Sequence, residues 1–479
     1  MGAIKTVERA AIGKALDYVI DDPEKNLPKI MGTIDRFVPA SIMAAQRETV
    51  RKAIDSRGNW YQMIVKMLTE MNPAVSHRLM KTLVIDAVLQ AWPVQETNRD
   101  KYRCNIPWAI LLDPTSACNL HCTGCWAADY GHQLNLGFDD IDSIITQGKQ
   151  LGVHLYIYTG GEPLVRKKDI IRLCEKHSDC VFLSFTNATL IDQEFCNEMI
   201  RVANFVPAIS VEGFEEATDA RRGAGTFAKL SHAMDLLREN GLPFGVSTCY
   251  TSQNYRSIAS EEFFDWMVDK GAYFAWFFTY MPIGKNAPTD LMATPQQREE
   301  LYGFIRSMRT KKPLFTMDFW NDGEFVGGCI AGGRRYLHIN ANGDVEPCVF
   351  AHYSNANIHD TSLLDALRQP LFMAYYNNQP FSGNLLRPCP ILDNKGELAR
   401  LVQETGAKPT DLDDAEPAQD LCAKCAPVAD AWESVANRLW ENKDDPRYAT
   451  RHNGHCGMAK TDIERLEREG RVLDHQQPA

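Results

Sequence analysis

Three cysteines stand close together in Cys118-Asn-Leu-His-Cys122-Thr-Gly-Cys125-Trp126. Thiolates at this spacing can share one metal centre. In a cubane iron-sulfur cluster they would hold three irons and leave the fourth without a protein ligand, and an open metal position is what separates a catalytic site from a closed structural one. That iron can accept a cofactor or a substrate. A structural zinc knuckle with His121 as fourth ligand is the other reading; it asks for a second ligand pair nearby, and none follows. A second set comes much later: Cys329, Cys348, Cys389, Cys422 and Cys425. Between the first two, Asn342-Gly343 carries the signal of a type I′ hairpin, which would bring Cys329 and Cys348 together. Five thiolates suffice for one closed cluster and not for two, with a single zinc ribbon as the alternative. Cys456, in a polar tail, is a further candidate ligand.

The elements that must hold these residues follow from periodicity. Residues 1–100 show apolar residues at helical spacing and read as a four- or five-helix bundle, with Met63, Met67 and Met71 along one face. Between 104 and 310, strands alternate with helices. The strands are expected at 108–112, 154–158, 181–185, 205–211, 244–249 and 273–280, and the helices at 138–151, 168–176, 193–202, 227–240 and 261–270. Six such units imply an α/β fold, a parallel sheet curled into a partial (β/α)6 barrel with its chemistry at the C-terminal ends of the strands. The cysteine triplet leaves the first strand at that end. So does Thr159-Gly160-Gly161-Glu162-Pro163 after the second, where glycines let backbone groups approach a ligand closely. Asn187 follows the third strand, Ser210 and Glu212 end the fourth, Arg221 and Arg222 come soon after, and Ile283 follows the sixth. Residues 320–440 form a cysteine-rich extension, 402–420 within it an acidic surface linker, and 441–479 a charged, solvated tail.

The triplet and the Gly-Gly-Glu-Pro element one strand later resemble the motifs of the radical S-adenosylmethionine (SAM) superfamily. The resemblance implies a 4Fe-4S cluster on Cys118, Cys122 and Cys125 whose open iron is chelated by SAM, and reductive cleavage of SAM to a 5′-deoxyadenosyl radical that abstracts hydrogen. It implies that Gly160, Gly161, Glu162 and Pro163 meet the methionine end of SAM. Asn187 matches the family's T-N-G-T position, Ser210 and Glu212 reach the ribose, and Ile283 lies by the adenine. Arg221 or Arg222 would pair with the SAM carboxylate through a bidentate fork, or else lie on the surface. The family usually has an aromatic residue before the third cysteine; here Gly124 stands there and Trp126 follows, so either the Trp126 ring or backbone meets the adenine. Cys329-x13-Gly343-x4-Cys348 resembles the start of a SPASM extension and implies an auxiliary 4Fe-4S cluster, although the dense later cysteine array of that domain is missing.

The chain has 479 residues, 44% of them apolar, and a formal charge of −11, which argues against a nucleic-acid or anionic-membrane surface spread over the whole protein. With no signal-like N-terminus and no long apolar run, a cytoplasmic protein without a transmembrane segment is expected. Fourteen cysteines then read as metal ligands plus buried free thiols, the latter at Cys104, Cys174, Cys180, Cys196 and Cys249. An external electron donor of flavodoxin or ferredoxin type is implied. The expected substrate is a peptide or protein, although no winged-helix module for docking a leader peptide is visible. Alkyl chains of a lipid, seated in the helical bundle, are the alternative, and a non-catalytic iron-sulfur electron-transfer protein is a third.

Overall fold

A computed structural model of the chain describes residues 2–37, 44–127, 133–412, 415–452 and 460–470. Six apolar runs form strands where the alternation expects them: β1 (Ala109–Leu112), β2 (Leu155–Tyr158), β3 (Val181–Thr186), β4 (Phe205–Ser210), β5 (Gly245–Tyr250) and β6 (Phe274–Thr279). They pair in parallel, in chain order. Helices Phe138–Leu151, Lys167–Lys176, Gln193–Val202, Thr226–Glu239 and Glu261–Lys270 lie between them. Local chemistry sets their ends: the Phe195 amide donates to Asp192 Oδ1 (2.8 Å) and the Phe263 amide to Ser260 Oγ (3.3 Å), while Gly152 and Gly271 stop two helices in the left-handed region.

The sheet is larger than six strands. β7 (Phe315–Asp318) adds in parallel to β6, and β8 (Tyr336–Ile339) adds in parallel to the free edge of β1. β9 (Val345–Glu346) closes the expected hairpin against β8, giving the order β7-β6-β5-β4-β3-β2-β1-β8-β9, but the turn is not type I′: Gly343 has a positive φ and Asn342 does not, and the Gly343 amide donates to the Asn340 carbonyl (2.9 Å). The hairpin was legible; its docking on β1 was not, because an open barrel edge offers backbone groups to any strand of suitable length. Thus the cysteine-rich region continues the barrel sheet, and one hydrophobic core runs from Met71 to Cys425. A short ribbon of β10 (Tyr353–Ser354) and β11 (Lys408–Pro409) stands apart from this sheet.

The N-terminal helices are Gly2–Asp21, Pro23–Phe37, Ala44–Ser56 and Asn59–Thr69, followed by a helical rod from Pro73 to Tyr102 that is π-helical over Thr82–Gln90. The last of them lie against the end of the barrel where the strands begin, and they satisfy carbonyls that barrel helices leave orphaned at their C-termini. Asn59 Nδ2 donates to the carbonyls of Arg309 (2.8 Å) and Lys312 (3.0 Å), Lys66 Nζ to that of Val268 (3.0 Å), and Gln95 Nε2 to that of Gly152 (2.6 Å). Met71 joins the main core and Met67 packs against it. Met67 and Met71 of the methionine stripe are therefore interior packing under the barrel, on the face opposite the cysteine loop.

Two C-terminal expectations need correction. Residues 402–420 are only in part a surface linker: helix Glu397–Thr405 covers the first of them, and among the described residues Leu412 and Pro417 are exposed while Thr410, Asp411 and Glu416 are buried. Their charges are matched in space rather than in sequence, as in the 2.5 Å contact of Asp411 Oδ1 with His352 Nδ1. Nor is the tail simply solvated. Arg451 is buried with its Nε 3.0 Å from Glu324 Oε2, and Arg465 reaches Glu96 (3.0 Å) on the helix Ala91–Tyr102. Cys456 lies outside the described residues.

Candidate functional site

Backbone hydrogen bonds stitch the cysteine loop to the Gly-Gly-Glu-Pro turn at the C-terminal ends of β1 and β2. The Gly161 amide donates to the Thr115 carbonyl (3.0 Å) and the Glu162 amide to the Ala117 carbonyl (2.8 Å). The approach is too close for any side chain: a Cβ on Gly161 would lie 2.2 Å from the Ala117 carbonyl oxygen, and Gly160 adopts φ +101° against Asp113. Pro163 opens a short 3-10 turn over Pro163–Arg166. Glu162 is fully buried and commits both oxygens to the loops, accepting from Thr186 Oγ1 (2.7 Å), the Leu164 amide (3.0 Å) and the Asn187 amide (2.8 Å). Asn187 Nδ2 in turn donates to Asn119 Oδ1 (2.8 Å), inside the cysteine loop. Of the polar groups expected beside SAM, Glu162 and Asn187 are thus built into the scaffold of the loop.

A second clamp comes from β4. Glu212 is fully buried, with Arg221 Nη1 2.6 Å and Arg222 Nε 2.8 Å from the same oxygen, while its other oxygen accepts from the Cys249 amide (3.1 Å). Burial alone would raise this carboxyl, but the two guanidinium charges outweigh burial and hold it below its usual range. The arginines also grip the cysteine loop. Arg221 Nε donates to the Thr123 carbonyl (3.3 Å), the Thr123 amide to the Arg221 carbonyl (2.9 Å), and Arg222 Nη1 lies 3.9 Å from Cys122 Sγ. They are therefore neither surface residues nor free forks. Ser210 ends β4 half-buried, and Ile283 is buried beside Gly284.

Cys118, Cys122 and Cys125 fit an iron-sulfur cluster better than zinc. Among the described residues, the group whose ligand atoms all lie within 4.8 Å of one another is His154, Asp179 and Cys180, where β2 and β3 begin; neither cysteine set is gathered that tightly. A tetrahedral zinc with bonds of about 2.3 Å would need its sulfurs within about 4 Å of one another. A cubane, whose ligating sulfurs stand farther apart, does not ask for so tight a cluster. Backbone donors already face the sulfurs, with the Leu120 amide 3.4 Å from Cys118 Sγ. Burial pushes the Cys118 thiol up to about 11 and raises that of Cys125, so these ligands lose their protons when a metal takes them.

In the C-terminal region, Cys329, Cys348 and Cys389 line one cavity, walled by Phe319, Trp320, Tyr336, Phe350 and Tyr375. Burial raises Cys329 to about 11 and Cys348 to about 12. Cys389 Sγ accepts from the amides of Ile391 (3.4 Å) and Leu392 (3.5 Å), again donors suited to a ligating sulfur. Cys422 and Cys425 do not line this cavity. They sit in the first turns of the helix Ala418–Trp440, where the amides of Gly396, Leu398 and Ala399 face Cys422. Between them, Lys424 Nζ donates to the carbonyls of Pro282 (2.6 Å) and Gly284 (2.7 Å), so this helix clasps the turn that carries Ile283.

Sequence reasoning missed the buried bridge between the two cysteine sets. His338 on β8 contacts Asp113 Oδ1 (2.9 Å) at the end of β1 and Glu346 Oε2 (2.6 Å) on β9. Burial alone would lower its pKa, but the two carboxylates push it up to about 10, while burial raises that of Asp113. Trp126 stands edge-on to His338 (5.7 Å), His352 (6.1 Å) and Phe350 (6.4 Å), so the ring next to Cys125 touches a wall of the second cavity. Only the β1–β8 pairing brings these residues together.

The comparisons with known proteins agree with this geometry. Residues 112–265 match the family model of the Radical SAM superfamily, and residues 329–390 match SPASM, an iron-sulfur cluster-binding domain. Over 313 residues the chain is 25% identical to an AdoMet-dependent heme synthase of Nitratidesulfovibrio vulgaris, covering 58% of this chain and 84% of that protein. It is 26% identical over 266 residues to a PqqA peptide cyclase of Bradyrhizobium diazoefficiens, covering 51% of this chain and 67% of the relative. The crystal structure of Streptococcus suis SuiB bound to precursor peptide SuiA superposes with a TM-score of 0.51 at 20% identity, over 63% of this chain and 75% of that one, which shows a shared fold. Motifs, sheet and family matches together give this enzyme a radical SAM domain over residues 112–265, which takes a 4Fe-4S cluster and SAM, and a SPASM domain over residues 329–390, which takes auxiliary iron-sulfur.

Proposed function

We propose that this enzyme abstracts hydrogen from an unactivated C–H bond of a peptide or protein substrate. When bound, the cluster and SAM supply a 5′-deoxyadenosyl radical, and the hard chemistry belongs to them. The protein's part is positioning. Cys118, Cys122 and Cys125 are the ligands we assign to the SAM-binding cluster, with the Arg222 guanidinium steadying the charge on Cys122. The backbone of Gly160 and Gly161, pressed against the cysteine loop, is the edge we assign to the methionine end of SAM, with Ser210 facing the ribose and Ile283 and Trp126 on the adenine side. Glu162, Asn187, Glu212, Arg221 and Pro163 hold those groups in register. We assign Cys329, Cys348 and Cys389 to the auxiliary cluster, with Cys422 or Cys425 completing it, and a flavodoxin- or ferredoxin-like cytoplasmic protein as electron donor.

The observation that carries this reading is the convergence of three thiols, two closely approached glycines and the Glu212–arginine clamp at the C-terminal ends of β1, β2 and β4. The PqqA peptide cyclase relative supports a peptide substrate. The alkyl-chain alternative loses its footing, because Met67 and Met71 pack into the core under the barrel. Anaerobically reconstituted enzyme given dithionite and SAM is expected to release 5′-deoxyadenosine. Cys122→Ala is expected to abolish release while retaining the auxiliary iron, about four of about eight atoms per chain. Continued cleavage by that variant would remove the assignment.

A further inference from the structure

The turn that follows β6 is held by two distant parts of the chain at once. Beyond Thr279 the strand runs through Tyr280 into Pro282-Ile283-Gly284. On one side the Tyr280 ring lies over Gly124 in the cysteine loop, so closely that a Cβ there would meet it at 2.6 Å. On the other side Lys424 Nζ donates to the Pro282 carbonyl (2.6 Å) and the Gly284 carbonyl (2.7 Å), and pairs with Glu416 Oε1 (2.6 Å). The Gly284 amide faces the same carboxylate. One ion pair from far along the chain thus takes three backbone groups of a three-residue turn.

Stability alone does not ask for this arrangement. The Lys424 side chain is 17% exposed and that of Glu416 4%, and taking two charges out of water costs so much that such a pair adds little over an apolar contact of the same volume. What the pair does supply is direction. An ammonium bonded to two carbonyls fixes the peptide planes on either side of Ile283, the residue placed above on the adenine side of SAM. The lysine is itself fixed at its base, because it stands between the buried Cys422 and Cys425 in the first turns of the helix Ala418–Trp440. The turn is therefore set between the cysteine loop and the C-terminal helix, and Lys424 decides how close it lies.

We propose that Lys424, paired with Glu416, is a positioning residue for SAM: it holds the 282–284 turn against the adenosyl half of the cofactor without touching the cofactor itself. This deepens the reading above and rests on its placement of Ile283. The test is equilibrium dialysis of radiolabelled SAM against the reconstituted holoenzyme, under nitrogen and without reductant. Lys424→Met/Glu416→Gln removes both charges together, so that neither is left buried alone. It is expected to weaken SAM about tenfold, or about 1.4 kcal/mol, with the iron content of the parent. Unlabelled competitors locate the loss: 5′-deoxyadenosine is expected to bind the double variant more weakly than the parent, and L-methionine to bind both alike. Lys424→Arg keeps a cation with donors for both carbonyls and is expected to recover most of the affinity. A double variant that binds SAM as the parent does, an equal loss of methionine and 5′-deoxyadenosine binding, or a Lys424→Arg protein no better than the double variant would each overturn the proposal. Because only ratios to the parent are read, the proposal can fail while the parent binds SAM and releases 5′-deoxyadenosine; a parent that binds no SAM overturns the cofactor assignment as well.

Discussion

The two cysteine sets differ in what surrounds the sulfur. Around Cys118, Cys122 and Cys125 the neighbours are glycine backbone, an arginine pair and the half-exposed interior of the barrel. Around Cys329, Cys348 and Cys389 they are aromatic rings and proline. A centre in the first setting can meet a zwitterionic cofactor, and one in the second is tuned by its apolar walls. The same ligand chemistry therefore serves opposite ends, and the environment separates them. Between the two stand Trp126 and the Asp113–His338–Glu346 bridge, which exist only because β8 closes the free edge of the sheet.

The comparison breaks most visibly at the second set. Cys348→Ala is expected to lower the iron content by about four atoms per chain while SAM cleavage continues; loss of both together would mean the two sets form one cooperative unit. Next in size is the clamp at the first set. Glu212→Gln leaves two buried guanidinium groups without their carboxylate, and breaking a buried pair of this kind costs about 3–5 kcal/mol. Urea unfolding should show a midpoint drop of that order, and an unchanged midpoint would deny the clamp its role. Smaller is the acid sensitivity of the wall behind the auxiliary cavity. Burial alone would raise Glu324, but hydrogen bonds and charge from Arg451, Arg306 and Arg447 hold it down to about 2 from 4.5. A depressed carboxyl adds stability above its unfolded pKa and loses it as pH falls, here between about 4.5 and 2, for about 3 kcal/mol. Glu324→Gln should flatten the stability profile in that window, which pH-dependent urea melts would show.

Much of the barrel was legible because its signals are local. The six strands and five helices lie within a residue or two of their expected bounds, since apolar periodicity and capping residues such as Asp192 and Ser260 act over a few positions. What stayed hidden depends on distant pairing. Nothing near Tyr336–Ile339 announces that it will join β1, so the Asp113–His338–Glu346 bridge had no signal at all. Arg221, Arg222 and Glu212 were each visible as charged groups at strand ends, but their mutual neutralisation is a fact of three dimensions. Cys249 read as one more core thiol, yet it sits half-buried on the inner face of β5, because strand alternation fixes a side and not which side is hollow.

The central claim is that the loop 118–125 holds a cluster with one iron open to SAM while the second set is closed to it. Electron paramagnetic resonance of the dithionite-reduced Cys329→Ala/Cys348→Ala/Cys389→Ala protein, recorded with and without SAM, tests it directly. The account predicts one remaining cluster signal that shifts when SAM is added. A signal that does not respond to SAM, or no signal at all from protein whose loop 118–125 is intact, would contradict it.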